Sequence, residues 1–267
     1  MRVSYCIILI SLAFVSFVGC KKTEDLIDFT EEDEVLLGEK LAQAISENAN
    51  FSLIPSEGNS LAYGYVNSRL SEITNAASIS KSEDFTWSVT LFDDETRQAF
   101  ALPGGYIYVS TGMIFYLANE DQFSGLLAHL VAHIDQSHVT ERLFFKYGVN
   151  GLKSITTGGD AESLNQIIGD LDLRGTYLQL SRANELVADT LAISLLTGSG
   201  QACNSNGLFM DRALNVQAEL ITSFTGAHRL DTIRLGIIEE TVIGRGCDTT
   251  VDGESDNRFI SFRNSLP

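Results

Sequence analysis

The chain has 267 residues, 44% hydrophobic and 20% charged, enough to bury a substantial core in one large domain or two small ones. Its 18 basic and 35 acidic residues give a formal charge of −17, which repels phosphate backbones and argues against nucleic-acid binding. Only three prolines and no internal period of roughly 20–50 residues exclude a Pro-rich linker and a solenoid.

Met1 and Arg2 precede an apolar run from Cys6 to Val18, broken only by Ser11 and Ser16. A bilayer span needs about 20 apolar residues, so this run reads as the core of an export signal. It stops at Phe17-Val18-Gly19-Cys20, and Lys21, Lys22, Thr23, Glu24 and Asp25 follow. A small residue directly before Cys at that point resembles a bacterial lipobox, although Phe17 replaces the usual Leu. Residues 1–19 are then a lipoprotein signal, Cys20 carries lipid, and 20–30 are a tether. The alternative is an ordinary cleaved signal. Cys203 and Cys247 remain in an oxidising compartment and are candidates for one disulfide. They stay free thiols if their Cα atoms do not approach closely enough.

From Glu31 the apolar residues Val35, Leu36, Leu41 and Ile45 recur at helical spacing, with acids in the first turn. A second helix is expected over Ser60–Asn75. Thr86–Phe92 alternates like a strand, Ala99–Leu102 is a shorter one, and Pro103-Gly104-Gly105 is a turn before a strand over Tyr106–Val109. Helix resumes at Thr111. Asn119 is a good N-cap, Glu120 and Asp121 suit the positive helix end, and Phe123, Leu126, Leu127, Val131 and Ile134 form an apolar face. Gly148–Asp160 reads as a loop. Helices follow over Ala161–Leu173, Tyr177–Leu196, Leu208–Phe224 and Leu230–Val242, and the polar tail after Gly244 reads as irregular. The fold class is α+β, mostly helical with a small sheet, in a single domain over 31–267.

Three of the four histidines fall within ten residues: His129, His133 and His138. His129 and His133 are i and i+4 on one predicted helix, so both imidazoles project from one face. Zinc peptidases use this spacing to supply two ligands. His138 lies about half a turn round from His129 and does not complete the site from the same helix. The metzincin pattern requires Gly and His where this chain has Gln136 and Val139. Glu185 and Asp189 offer a second i, i+4 pair. One carboxylate can bind metal and the other can orient a ligating imidazole. On spacing alone, a solvated helix face is the better account of this pair.

The stretch Ala99-Phe100-Ala101-Leu102-Pro103-Gly104-Gly105-Tyr106-Ile107-Tyr108-Val109-Ser110-Thr111-Gly112-Met113 resembles a block of one zinc metallopeptidase family. That family includes the CAAX prenyl endopeptidases and the HtpX-like, Oma-type and BepA-like proteases. Its further blocks are matched by Asn119-Glu120-Asp121, by His129, His133 and His138, and by Ser181, Arg182, Glu185, Ala188 and Asp189. A last block resembles His228 and Arg234, with Arg229 in place of Pro. The resemblance implies a zincin-like domain in which His129, His133 and Glu185 hold one zinc. Asp189, His228 and Arg234 stand behind them, although His228 could equally cap a helix and His138 could be a packed or surface residue. It also implies that substrate lies along an edge strand, with Gly104, Gly105, Tyr106, Ile107 and Tyr108 as the counterpart.

The chain departs from that family at the residue after the first His. The motif reads His129-Leu130-Val131-Ala132-His133, with Leu130 where the family has its general-base Glu. Losing such a group removes about 10²–10⁴ in rate. Asp135 is about 240° round the helix from His129 and points elsewhere. The expectation is a zinc-binding, catalytically impaired envelope lipoprotein. Alternatives are an active endopeptidase in envelope protein quality control and a chaperone-like or scaffold lipoprotein. Its expected partners are unfolded or misassembled envelope polypeptides and, through the lipid, a membrane.

Overall fold

The computed structural model describes residues 29–81, 85–172, 180–215, 228, 231–250 and 253–267. The expected signal, Cys20 and most of the tether lie outside them. Helix α1 (Glu31–Glu47) opens on a capping box. The Thr30 hydroxyl accepts from the Asp33 amide, and the Asp33 carboxylate accepts from the Thr30 amide at 2.8 Å. Its Leu37, Leu41 and Ile45 are fully buried. Helix α2 (Ser60–Thr74) follows.

Three short strands form one sheet: β1 (Ser88–Phe92), β2 (Ala99–Ala101) and β3 (Tyr106–Ser110), in the order β1-β3-β2. β1 pairs parallel to β3, Ser88 opposite Tyr106, and β2 pairs antiparallel to it, Ala99 opposite Val109. The outer edge of β1 is partly covered, because the Ile54 amide donates to Leu91 and the Asp93 amide to Ser52. This corrects the expected substrate strand. Tyr106, Ile107 and Tyr108 belong to the central strand, where neighbours on both sides take the ladder bonds. Gly104 and Gly105 form a 3₁₀ turn against α1. At that contact a Cβ on Gly38 would sit 2.0 Å from the Pro103 carbonyl oxygen, so glycine alone permits the approach.

Helices α3 (Thr111–Tyr116) and α4 (Glu120–Asp135) follow the sheet. The Asn119 side chain caps α4 by accepting from the Gln122 amide at 3.0 Å. Every residue of α4 is buried, which makes it the central rod of the molecule. Helices α5 (His138–Tyr147), α6 (Val149–Thr156), α7 (Ala161–Asp172), α8 (Arg182–Gly198), α9 (Ser205–Asn215), α10 (Thr232–Arg245) and α11 (Gly253–Arg263) surround it. α8 and α9 lie directly against α4. A Cβ on Gly125 would stand 2.3 Å from the Ser205 carbonyl oxygen, so α4 and α9 touch backbone to backbone there.

Two expectations fail for packing reasons. Residues 149–156 are helix, because Leu152 and Ile155 pack inward while α6 lies against α1. Gly151 at the surface is tolerated. The tail is also helical: Phe259 and Phe262 are fully buried, and the Phe262 ring stacks on Tyr65 at 4.5 Å and meets Phe123 at 5.7 Å. Two buried apolar residues in a largely polar run gave too weak a pattern to read. Of the expected helices over 177–196 and 208–224, residues 177–179 and 216–224 lie outside the described part. Cys203 and Cys247 form a disulfide that joins the start of α9 to the end of α10, with Cα atoms 6.2 Å apart.

Truncating Phe262→Ala empties the pocket between Tyr65 and Phe123 and is expected to destabilise the chain by about 3–5 kcal/mol. Denaturant unfolding measures this, and a loss below about 1 kcal/mol would show that α11 is not part of the cooperative core.

Candidate metal centre

The site forms where α4 lies beside α8. His129 and His133 project from successive turns of α4. The Ser181 hydroxyl caps α8 by accepting from the Asn184 amide at 3.1 Å, which sets Glu185 in its first turn and Asp189 one turn on. Asp231 caps α10 by accepting from the Arg234 amide at 2.8 Å, which places Arg234 in that helix's first turn. His228 lies three residues before that cap.

Four donor atoms converge. His129 Nε2 lies 3.0 Å from His133 Nε2 and 3.2 Å from His228 Nδ1. Glu185 Oε1 is 3.2 Å from His228 Nδ1 and 3.7 Å from His133 Nε2, and its Oε2 is 3.4 Å from His129 Nε2. All four residues are buried, and their ligand atoms lie within 4.8 Å of one another. A tetrahedral zinc with bonds of about 2.0–2.1 Å separates its donors by roughly 3.3 Å. The observed spacings bracket that edge, and three imidazoles with one carboxylate are the donors zinc takes. The residues therefore fit the ion.

Groups behind the donors fix their orientation. Asp189 Oδ1 lies 3.0 Å from His129 Nδ1, which holds the proton there and leaves the Nε2 lone pair facing the centre. Arg234 is 1% exposed. It grips Asp189 through Nε and Nη2, both at 2.8 Å, and reaches Glu185 Oε2 through Nη1 at 2.8 Å. Asn206 donates to Asp189 Oδ1 at 3.0 Å. His133 Nδ1 lies 3.0 Å from His138 Nδ1.

The electrostatics suit a cation. Burial pushes His133 well below the ordinary imidazole value, with the neighbouring His129 adding to it. Burial likewise lowers His138 and His228. Neutral imidazole is the form that binds metal. Burial alone would raise Glu185 and Asp189. Interaction with His228 and the imidazole hydrogen bonds instead hold Glu185 far below the carboxylate range, and bonds to His129 and Arg234 do the same for Asp189. Burial opposes charge on His129 too, but the bonds to Asp189 and Glu185 outweigh it and raise its value.

The structure brings together His129, His133 and Glu185 as expected, with Asp189 and Arg234 behind them. His228, expected behind the ligands or at a helix end, stands among the donors. His138, now on α5, touches His133 rather than the centre. Asn206 carried no sequence signal, since a lone Asn has no periodic partner. Leu130 is fully buried in the apolar core. Two other acids of α4 are engaged elsewhere. Glu120 binds Tyr65, Arg69 and Arg258, and Asp135 accepts from Ser80 and Lys81.

Two histidines one turn apart on a central helix, with a glutamate from a neighbouring helix, define a zincin-type centre. Residues 60–228 match Peptidase family M48, and the chain belongs to that family. M48 metallopeptidases use zinc. The chain is 28% identical over 167 residues to the mitochondrial metalloendopeptidase OMA1 of Schizosaccharomyces pombe, covering 61% of this chain and 48% of that protein. It is 31% identical over 115 residues to the Saccharomyces cerevisiae OMA1, covering 42% of this chain and 32% of that protein. The chain thus spans about half or less of the length of these curated relatives. Among the described residues, no helix is long and apolar enough to cross a membrane.

Asp189→Asn keeps the shape but loses the charge that orients His129. It is expected to weaken zinc binding about 10–100-fold, read by competition with a chelating dye. Unchanged affinity would remove Asp189 from the account of the site.

Proposed function

We propose that this protein is a zinc-binding M48 peptidase homologue, lipid-anchored at the bacterial cell envelope through Cys20, that binds polypeptides but cuts them poorly or not at all. The observation that carries the reading is Leu130, a buried aliphatic side chain at the position after the first ligand. When bound, zinc supplies Lewis-acid polarisation of a carbonyl and of water. Peptide hydrolysis also needs a group that takes a proton and returns it to the leaving amine. Leu130 can do neither. Glu185 is one of the four residues that would hold the ion, and Asp189 is committed to His129, Arg234 and Asn206. His228 adds a fourth protein donor where catalytic zinc sites keep an open position.

Polypeptide binding remains available to such a chain. With β3 enclosed, β2 is the outer strand on the side of α4, and an extended segment could add there once the contacts that bury Ala99, Phe100 and Ala101 give way. Backbone pairing of this kind takes unfolded polypeptides with little sequence choice. The strongly acidic composition leaves nucleic acid an unsuitable partner.

The test compares the native chain with Leu130→Glu on unfolded casein, with and without chelator. The native chain is expected to match its chelated control. The variant is expected to gain chelator-sensitive cleavage of about 10²-fold or more when combined with His228→Ala, which reopens a position for water. Equal, chelator-sensitive cleavage by both would overturn the impaired reading in favour of an active peptidase.

A further inference from the structure

The corner between α4 and α5 holds a second buried polar cluster that the donor set does not include. Lys81 and Glu34 form an ion pair at 2.9 Å, each 7% exposed. The Ser137 hydroxyl donates to Glu34 Oε1 at 2.6 Å and accepts from Lys81 Nζ. Asp135, the last residue of α4, accepts from the Ser80 amide at 2.7 Å and the Lys81 amide at 3.0 Å. The pair therefore ties α1 and the chain after α2 to Ser137, the second of the two residues that connect α4 to α5.

That residue has an unusual backbone. Ser137 has φ 53° and is the only non-glycine with positive φ among the described residues. A residue with a Cβ disfavours this left-handed conformation. Ser137 occupies the N-cap position of α5, yet its hydroxyl makes no cap bond there and turns to Glu34 and Lys81 instead. The next residue is His138, whose Nδ1 stands 3.0 Å from His133 Nδ1. An imidazole that gives Nε2 to a metal keeps its proton on Nδ1 and needs an acceptor there. For His133 that acceptor sits on another helix, so the angle of the corner decides whether it is in reach.

We propose that the Glu34–Lys81 pair is a positioning device for the metal centre: through the Ser137 hydroxyl it holds the left-handed corner that aims His138 at His133. The inference rests on the reading of His129, His133, Glu185 and His228 as a zinc site. Apolar replacement of a buried ion pair is often neutral for stability, so the value of this one lies in geometry.

The experiment measures zinc affinity by dye competition, and the visible spectrum of the cobalt(II)-loaded chain, on the full-length protein. Ser137→Ala keeps the Cβ and loses the link, and is expected to weaken zinc about tenfold and alter the cobalt spectrum. Ser137→Gly adopts the corner unaided and is expected to stay within about threefold of the native chain. The double variant E34L/K81M is expected to behave like Ser137→Ala, and adding S137G to it is expected to restore most of the affinity. A stabilising role alone would not produce that rescue. Native affinity in Ser137→Ala, or failure of glycine to rescue, overturns the proposal. If E34L/K81M does not fold, the two serine variants decide alone. A native chain that holds no metal overturns the zinc reading together with this inference. A native chain that holds metal while Ser137→Ala matches it overturns this inference only.

Discussion

The structure depends on two carboxylates buried between α4 and α8. Glu185 and Asp189 are 0% and 1% exposed. Burying an unpaired ion costs several kcal/mol even after the protein relaxes. The cost here is offset by one guanidinium that spans both acids and by imidazoles that give them hydrogen bonds. Arg234 thereby locks α10 to α8, and Asn206 locks α9 to the same point. The packing of four helices and the orientation of the donors are therefore one arrangement.

Leu130 belongs to that balance. A glutamate at this fully buried position, next in sequence to the donor His129, would add a further negative group to the interior. Leucine adds apolar burial instead, worth about 1.5–3 kcal/mol relative to exposure. The substitution exchanges a proton carrier for a core residue and leaves the donors in place. On the proposed reading metal binding and proton transfer are separable, since the donors are His129, His133, Glu185 and His228 while the proton carrier would stand at position 130.

Much of the site was legible because helical spacing is strict. His129 and His133, and Glu185 and Asp189, each share a face by the i, i+4 rule, and the structure brings the two faces together. The capping residue Asn119 marked where α4 begins, whereas the Ser181 cap of α8 was not legible within the longer helix expected over Tyr177–Leu196. Long-range geometry was not legible. Nothing in the residues around His228 says that it enters the donor set, because nearly one hundred residues separate it from His129. Sheet order was equally hidden: the strand after Pro103-Gly104-Gly105 is recognisable, but its central place depends on which strands pair. The helices over 149–156 and 253–263 were missed because a few buried residues, Leu152 and Ile155 or Phe259 and Phe262, hold them in otherwise polar or glycine-containing sequence.

The central claim is that three imidazoles and a glutamate share one ion. Zinc-edge X-ray absorption on the purified chain tests it most directly. The account predicts about one zinc per chain in a shell of nitrogen and oxygen at about 2.0–2.1 Å, with imidazole scattering and no sulfur. A chain without zinc, or zinc bound through sulfur, would contradict it.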